Sequence, residues 1–143
     1  MYGTLCYHKF FCIETSLEHG ISTLEIRGGA FPQVSGIIFK YELGKSAGNR
    51  IREVLIAGKV IDPEGYYVVA TNDFLAAGGD GYQAFGEAIR ADGDFTSVGG
   101  TVHSGAIVYN DAGRWIRDVV VEHLSGQESI APVVEGRIVE LHP

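Results

Sequence analysis

The sequence predicts an α+β fold built around a mixed or antiparallel sheet, on three observations. Ser35–Leu43 alternates, with Ile37, Phe39, Tyr41 and Leu43 on one face and Ile38, Lys40 and Glu42 on the other, the period of a half-buried strand. Tyr66–Thr71 is a short apolar run rich in aromatic and β-branched residues, the composition of a strand. Tyr82–Ala91 places Tyr82, Phe85 and Ile89 at helical spacing. Neighbouring strands look hairpin-linked and helices are interspersed among them, which favours α+β.

Composition bounds the rest. A chain of 143 residues is one domain by length. With 45% hydrophobic and 20% charged residues it has the make-up of a folded protein, far from the polar, highly charged composition of disorder. No run of about 18 apolar residues is present, so no membrane-spanning helix is expected. A net charge of −7 excludes unassisted binding to nucleic acid or an anionic membrane, both of which need a basic surface. Met1–Ile13 lacks a basic stretch followed by a long apolar one, so it does not read as a signal peptide. Cys6 and Cys12 allow at most one small loop and read as free thiols rather than a disulfide framework.

Along the chain, Ser16–His19 reads as the end of a helix, with Gly20 as its stop. Ser35–Leu43 is the first clear strand and Arg50–Ile56 a second, with a turn at Ala57-Gly58-Lys59 leading into Val60-Ile61. Asp62-Pro63-Glu64-Gly65 is a turn, with proline at its second position. Tyr66–Thr71 reads as a strand buried on both faces. Asn72-Asp73 caps a very short helical piece, Phe74–Ala77. After the Tyr82–Ala91 helix, Asp92–Gly100 is a loop and Thr101–Tyr109 irregular strand. Asp111 is placed to cap a helix over Ala112–Leu124, with Ile116, Val119, Val120 and Leu124 turned inward and Trp115 packing. Gly136–Leu141 forms a last strand.

Glycine is the anomaly. The chain has 20, about twice the usual share of roughly 7%, clustered at Gly28-Gly29, Gly78-Gly79-Gly81 and Gly99-Gly100. Such clusters mark tight turns or places where something approaches the backbone. Two carry candidate chemistry. Gly78, Gly79 and Gly81 surround Asp80; a carboxylate there suits a diol, whose two hydroxyls donate to its two oxygens, and equally suits an ordinary turn. Gly28-Gly29-Ala30 precede Phe31, which stands before Pro32 and so has extended backbone. Phe31 is either a core residue or an exposed ring for stacking on a planar ligand. Asp92-Gly93-Asp94 lacks the later positions of a calcium loop and reads as a solvated turn. No metal-binding histidine spacing, phosphate-cradling loop or nucleophile elbow is present.

The run Ala70-Thr71-Asn72-Asp73-Phe74-Leu75-Ala76-Ala77-Gly78-Gly79-Asp80-Gly81-Tyr82 resembles the signature of the C-terminal domain of 5'-nucleotidases. So do Ser16-Leu17-Glu18-His19-Gly20-Ile21-Ser22, Phe31-Pro32-Gln33-Val34-Ser35-Gly36-Ile37, Ile61-Asp62-Pro63 and Pro132-Val133-Val134-Glu135-Gly136-Arg137-Ile138, in the family's order. The resemblance runs over residues 16–143 and leaves 1–15 as a divergent N-terminal segment. It implies a nucleoside- or nucleotide-binding domain in which Phe31 and Phe74 sandwich the base, Asp80 holds the ribose hydroxyls, and Gly78, Gly79 and Gly81 shape the loop. It implies no catalytic or metal-ligating residue in this chain: in the family, two divalent metal ions sit in a separate metallophosphoesterase domain. Family members are usually periplasmic or on the cell surface. The family's Asn-Gly-Gly-x-x-Arg segment is absent, so the resemblance reads as an N-terminally shortened domain. Three roles are open on this reading: a ligand-binding domain without catalysis, the binding subunit of a split nucleotidase, or a degenerate remnant that self-associates as a homo-oligomer.

Overall fold

The computed structural model describes residues 2–26, 29–91, 94, 96–98, 101–103, 105 and 107–142. Helix α1, Phe10–Ser22, is the hub. Its Ile13, Leu17 and Ile21 recur every four residues, fall on one face and are buried. They pack with Phe39, Tyr41, Ile51, Val54 and Ile61 into the main core. Strand β1, Tyr2–Lys9, runs directly into α1. Helix α1 continues past the position expected to stop it. Gly20 is needed there for space: a Cβ on it would lie 2.7 Å from Pro32 Cγ and 2.9 Å from the Tyr82 hydroxyl.

Strands β2 (Ile37–Tyr41), β3 (Ile51–Ile56), β4 (Lys59–Val60) and β9 (Ile138–Glu140) form one sheet in the order β4-β3-β2-β9. Its β2–β3 and β3–β4 pairings are antiparallel and β2–β9 is parallel, so the sheet is mixed as expected. Phe39 and Tyr41 point into the core as the alternation predicts, and Ile38 is exposed. The β3–β4 turn places both Ala57 (φ 51) and Gly58 (φ 76) in the left-handed region, the requirement of a two-residue hairpin turn matched to strand twist. The turn at Asp62 closes with Gly65 N donating to the Asp62 carbonyl at 2.9 Å. Two polar contacts hold α1 and the short 3-10 turn after it, Thr23–Ile26, to the start of β3. Glu18 Oε1 accepts from Ile51 N at 2.6 Å. Arg50, nearly buried, donates to Glu25 Oε1 of the 3-10 turn at 2.5 Å.

A second sheet has the order β5-β1-β8, all antiparallel, with β5 spanning Tyr66–Asn72 and β8 spanning Ile107–Trp115. A two-stranded hairpin pairs β6, Thr96–Val98, with β7, Thr101–His103. Helix α2, Asp73–Ala76, begins with Asn72 Oδ1 accepting from Leu75 N at 2.8 Å. Helix α3, Gln83–Arg90, buries Ala84, Phe85, Gly86 and Ile89 and packs on α1.

Three expectations are corrected. Strand β5 is not buried on both faces: Tyr66 is 64% and Val68 51% exposed, while Tyr67 and Val69 on the other face pack against the main core, so only one face of the strand is covered. Asp111 caps no helix. It lies opposite Gly3 within β8, where a long-range pairing overrides the local capping signal, and α4 begins only at Ile116 and ends at Ser125. The apolar residues of α4 do not turn inward: Ile116, Val119, Val120 and Leu124 are all exposed, as is Trp115 with the Arg117 guanidinium 5.2 Å over its ring. Helical period marks an apolar stripe but not what covers it. Gly28, Asp92, Gly93, Gly99, Gly100 and Ser104 lie outside the described residues.

Replacing an interior helical glycine by alanine ordinarily stabilises a helix by about 1 kcal/mol. Gly20→Ala should instead lower stability by about 1–3 kcal/mol, because the new methyl collides with Pro32 and Tyr82. Urea unfolding midpoints of the two proteins measure the sign.

Candidate functional site

A cleft of about 950 Å³ opens between the loop Gly29–Gly36, strand β5 and the start of α3, with Ile13, Ser16 and Leu17 of α1 in its wall. Each wall has a local cause. The loop leaves the sheet at Gly36 (φ 75) and is pinned near both ends. The Tyr82 hydroxyl donates to the Ala30 carbonyl at 2.6 Å, and Arg137 Nη1 donates to the Val34 carbonyl. Between these anchors stands Phe31, half-buried, which packs against the main core and also lines the cleft. The two readings of Phe31 are therefore not exclusive.

Asp80 lines the same cleft from the opposite loop. Strand β5, the Asn72 cap and the single turn α2 deliver the chain to Gly78, which is left-handed at φ 92. Asp80 has φ 51 and ψ 23 within the 3-10 turn Gly79–Gly81. Aspartate tolerates that region better than most residues because its short side chain bonds locally. Phe74 is 44% exposed and is not part of the cleft wall. Its ring lies against Gly79, where a Cβ would be only 2.5 Å away. The fold thus brings Phe31 and Asp80 into one cavity and leaves Phe74 beside Asp80 but outside the lining.

Two residues matter here that the sequence did not single out. His19 Nε2 donates to the Asp80 carbonyl at 2.7 Å, and its ring meets Tyr82 edge-on at 5.1 Å and 78°. Tyr82 in turn stacks on Phe85 at 5.9 Å and 10°. The signal for His19 was Gly81, whose Cβ would sit 2.6 Å from His19 Nε2; it becomes legible only once α1 and the glycine loop are adjacent. Burial first, and then the negative charge of Asp80, push the Tyr82 hydroxyl up to about 12. It therefore remains a protonated donor to Ala30 at any ordinary pH. Among the described residues no three His, Cys, Asp or Glu side chains gather where they could hold a metal ion, and no helix is long and apolar enough to cross a membrane.

The profile of the 5'-nucleotidase C-terminal domain family matches residues 12–87. The chain belongs to the 5'-nucleotidase C-terminal domain family. It is 36% identical over 135 residues to the trifunctional nucleotide phosphoesterase protein YfkN of Bacillus subtilis, covering 90% of this chain and 8% of that protein. It is 29% identical to human 5'-nucleotidase over 135 residues, covering 88% of this chain and 20% of that one. The crystal structure of the 5'-nucleotidase precursor from Thermus thermophilus superposes on 99% of this chain and 25% of its own, with a TM-score of 0.73 and 27% identity. The chain thus spans only 8% to 25% of the length of these nucleotidase relatives. The α+β architecture of this 5'-nucleotidase C-terminal domain is the one the sequence predicted.

Tyr82 supplies a test of how the two loops are joined. In the folded chain its proton is lost near pH 12, in the unfolded chain near 10. Between these values the unfolded state holds fewer protons on Tyr82, so its contribution to stability falls as pH rises through that window and is constant below it. Tyr82→Phe should cost about 1 kcal/mol at neutral pH through the lost hydrogen bond to Ala30 and should make the alkaline slope shallower, leaving the part due to Tyr41, whose hydroxyl burial and Glu140 also push up. Denaturant unfolding at stepped alkaline pH reads both effects.

Proposed function

We propose that the chain is a nucleoside- and nucleotide-recognition domain. Phe31 and Phe74 stack on the two faces of the base, and the Asp80 carboxylate accepts hydrogen bonds from the two ribose hydroxyls. The observation that carries the reading is that Phe31 and Asp80, 49 residues apart in sequence, line a single cleft. An aromatic face and an acceptor-only carboxylate in one cavity match the two ends of a nucleoside: a flat heterocycle and a vicinal diol. The second stack requires the exposed Phe74 side chain to swing toward the cleft mouth, a rotation that exposed side chains complete in picoseconds to nanoseconds. The names of the relatives, nucleotide phosphoesterase and 5'-nucleotidase, agree with such a ligand.

In this proposal the chain itself does no hydrolysis. The described residues do not fit a two-metal centre, which needs several clustered ligands, and ester cleavage belongs to a metallophosphoesterase unit supplied by another domain or polypeptide.

Stacking is worth roughly 1–3 kcal/mol per base and accepts any base, since each has a π face. Calorimetry should therefore give similar affinities for adenosine, guanosine and uridine. Phe31→Ala and Phe74→Ala should each weaken binding by about 1–3 kcal/mol, and Asp80→Asn by about 1.5–3 kcal/mol. Absence of heat at millimolar ligand, or unchanged affinity in both phenylalanine variants, overturns the reading.

A second reading, self-association, is favoured by one observation: α4 exposes Val119, Val120, Val121 and Leu124 together, the kind of apolar patch that marks an interface. If it holds, light scattering will show a dimer or larger species that Val120→Glu returns to monomer. A monomer at all concentrations removes it.

A further inference from the structure

We propose that His19 is the positioning residue for the Asp80 carboxylate, and that through it the site prefers a sugar carrying both hydroxyls over one lacking them. The inference rests on the nucleoside-binding reading above and adds to it the source of sugar selectivity.

Asp80 sits between two glycines, Gly79 and Gly81, with a backbone conformation that residues bearing a side chain rarely hold. A loop so flanked relaxes unless something fixes it. His19 supplies the fixing. Its Nε2 reaches 61 residues along the chain to the Asp80 carbonyl, at 2.7 Å. A carbonyl accepts only, so the imidazole nitrogen is the donor.

The ring has little freedom to move off that bond. It is wedged between the Tyr82 ring, met edge-on, and the Gly81 Cα, where even a methyl group would intrude on it. Its own backbone belongs to α1, anchored on either side by the buried Leu17 and Ile21. The backbone from which the Asp80 side chain departs is thus referred, through one hydrogen bond, to a helix with six buried residues. That same helix contributes Ile13, Ser16 and Leu17 to the cleft wall, so carboxylate and cavity share one frame. Two acceptor oxygens can meet two hydroxyl donors only if their direction is fixed, and base stacking makes no such demand. Loss of the tether therefore acts on the sugar and spares the base.

Two substitutions separate this role from packing. His19→Phe keeps the ring edge against Tyr82 and removes the donor. His19→Gln loses the ring and offers an amide Nε2 donor at similar reach. The experiment is calorimetry of each protein with adenosine and with 2',3'-dideoxyadenosine. The wild-type chain should bind adenosine more tightly. His19→Phe should reduce that preference about tenfold, the size of one hydrogen bond to a charged group, with dideoxyadenosine affinity unchanged. His19→Gln should restore most of it, and His19→Phe should add nothing in an Asp80→Asn background. Should His19→Phe not fold, His19→Leu removes the donor without touching the Asp80 loop and is expected to give the same loss. If the wild-type chain binds both ligands alike, the ribose role of Asp80 falls and this proposal with it. If the wild-type chain discriminates and His19→Phe discriminates equally, or weakens both ligands to the same extent, the His19 proposal alone is overturned.

Discussion

The structure turns on a single point of contact, where the end of α1 meets two loops from distant parts of the chain. Gly20 lets Pro32 and the Tyr82 hydroxyl come within reach of the helix backbone. Tyr82 then donates to Ala30, and His19, one residue before Gly20, holds Asp80. Each partner needs the others. A side chain at position 20 or 81 would fill the space that Pro32, Tyr82 or His19 occupies. The cleft exists because the Phe31 loop and the Asp80 loop are both referenced to this junction. Its energy is that of a few hydrogen bonds, each net about 1 kcal/mol, added to close packing that tolerates no extra methylene.

Much of the fold was legible in the sequence wherever local pattern and tertiary environment agree. The alternation of Ile37–Tyr41 survives because one face of β2 truly covers a core. The Asn72 cap was readable because its partner, Leu75 N, is three residues away. Failures occur where the deciding partner is remote. Asp111 carries a good capping signal, yet β1 claims it for a strand more than a hundred residues from its own position in the sequence. Tyr66–Asn72 has the composition of an interior strand but is left at an edge. The period of α4 marks an apolar stripe, but that stripe is exposed.

The site divides the same way. Asp80 and its glycines form one continuous stretch, and their spacing is visible without coordinates. Phe31 was identifiable from its setting before Pro32, although its place in both core and cleft was not. His19 and Tyr82 act across 61 and 52 residues, and no local pattern encodes a contact at that separation. The glycines hold the trace of it: Gly81 is small because His19 is there, and Gly79 because Phe74 is.

The parallel pairing of β9 with β2 sets an order of events during synthesis. Residues 39–41 must wait for residues 138–140 before that side of the sheet is closed, so until those residues are made β2 presents bare amides and carbonyls to whatever passes. Arg137, which grips Val34, arrives in the same stretch. The loop that carries Phe31 is therefore fastened at its far end only once Arg137 has left the ribosome, 103 residues after the Val34 it holds.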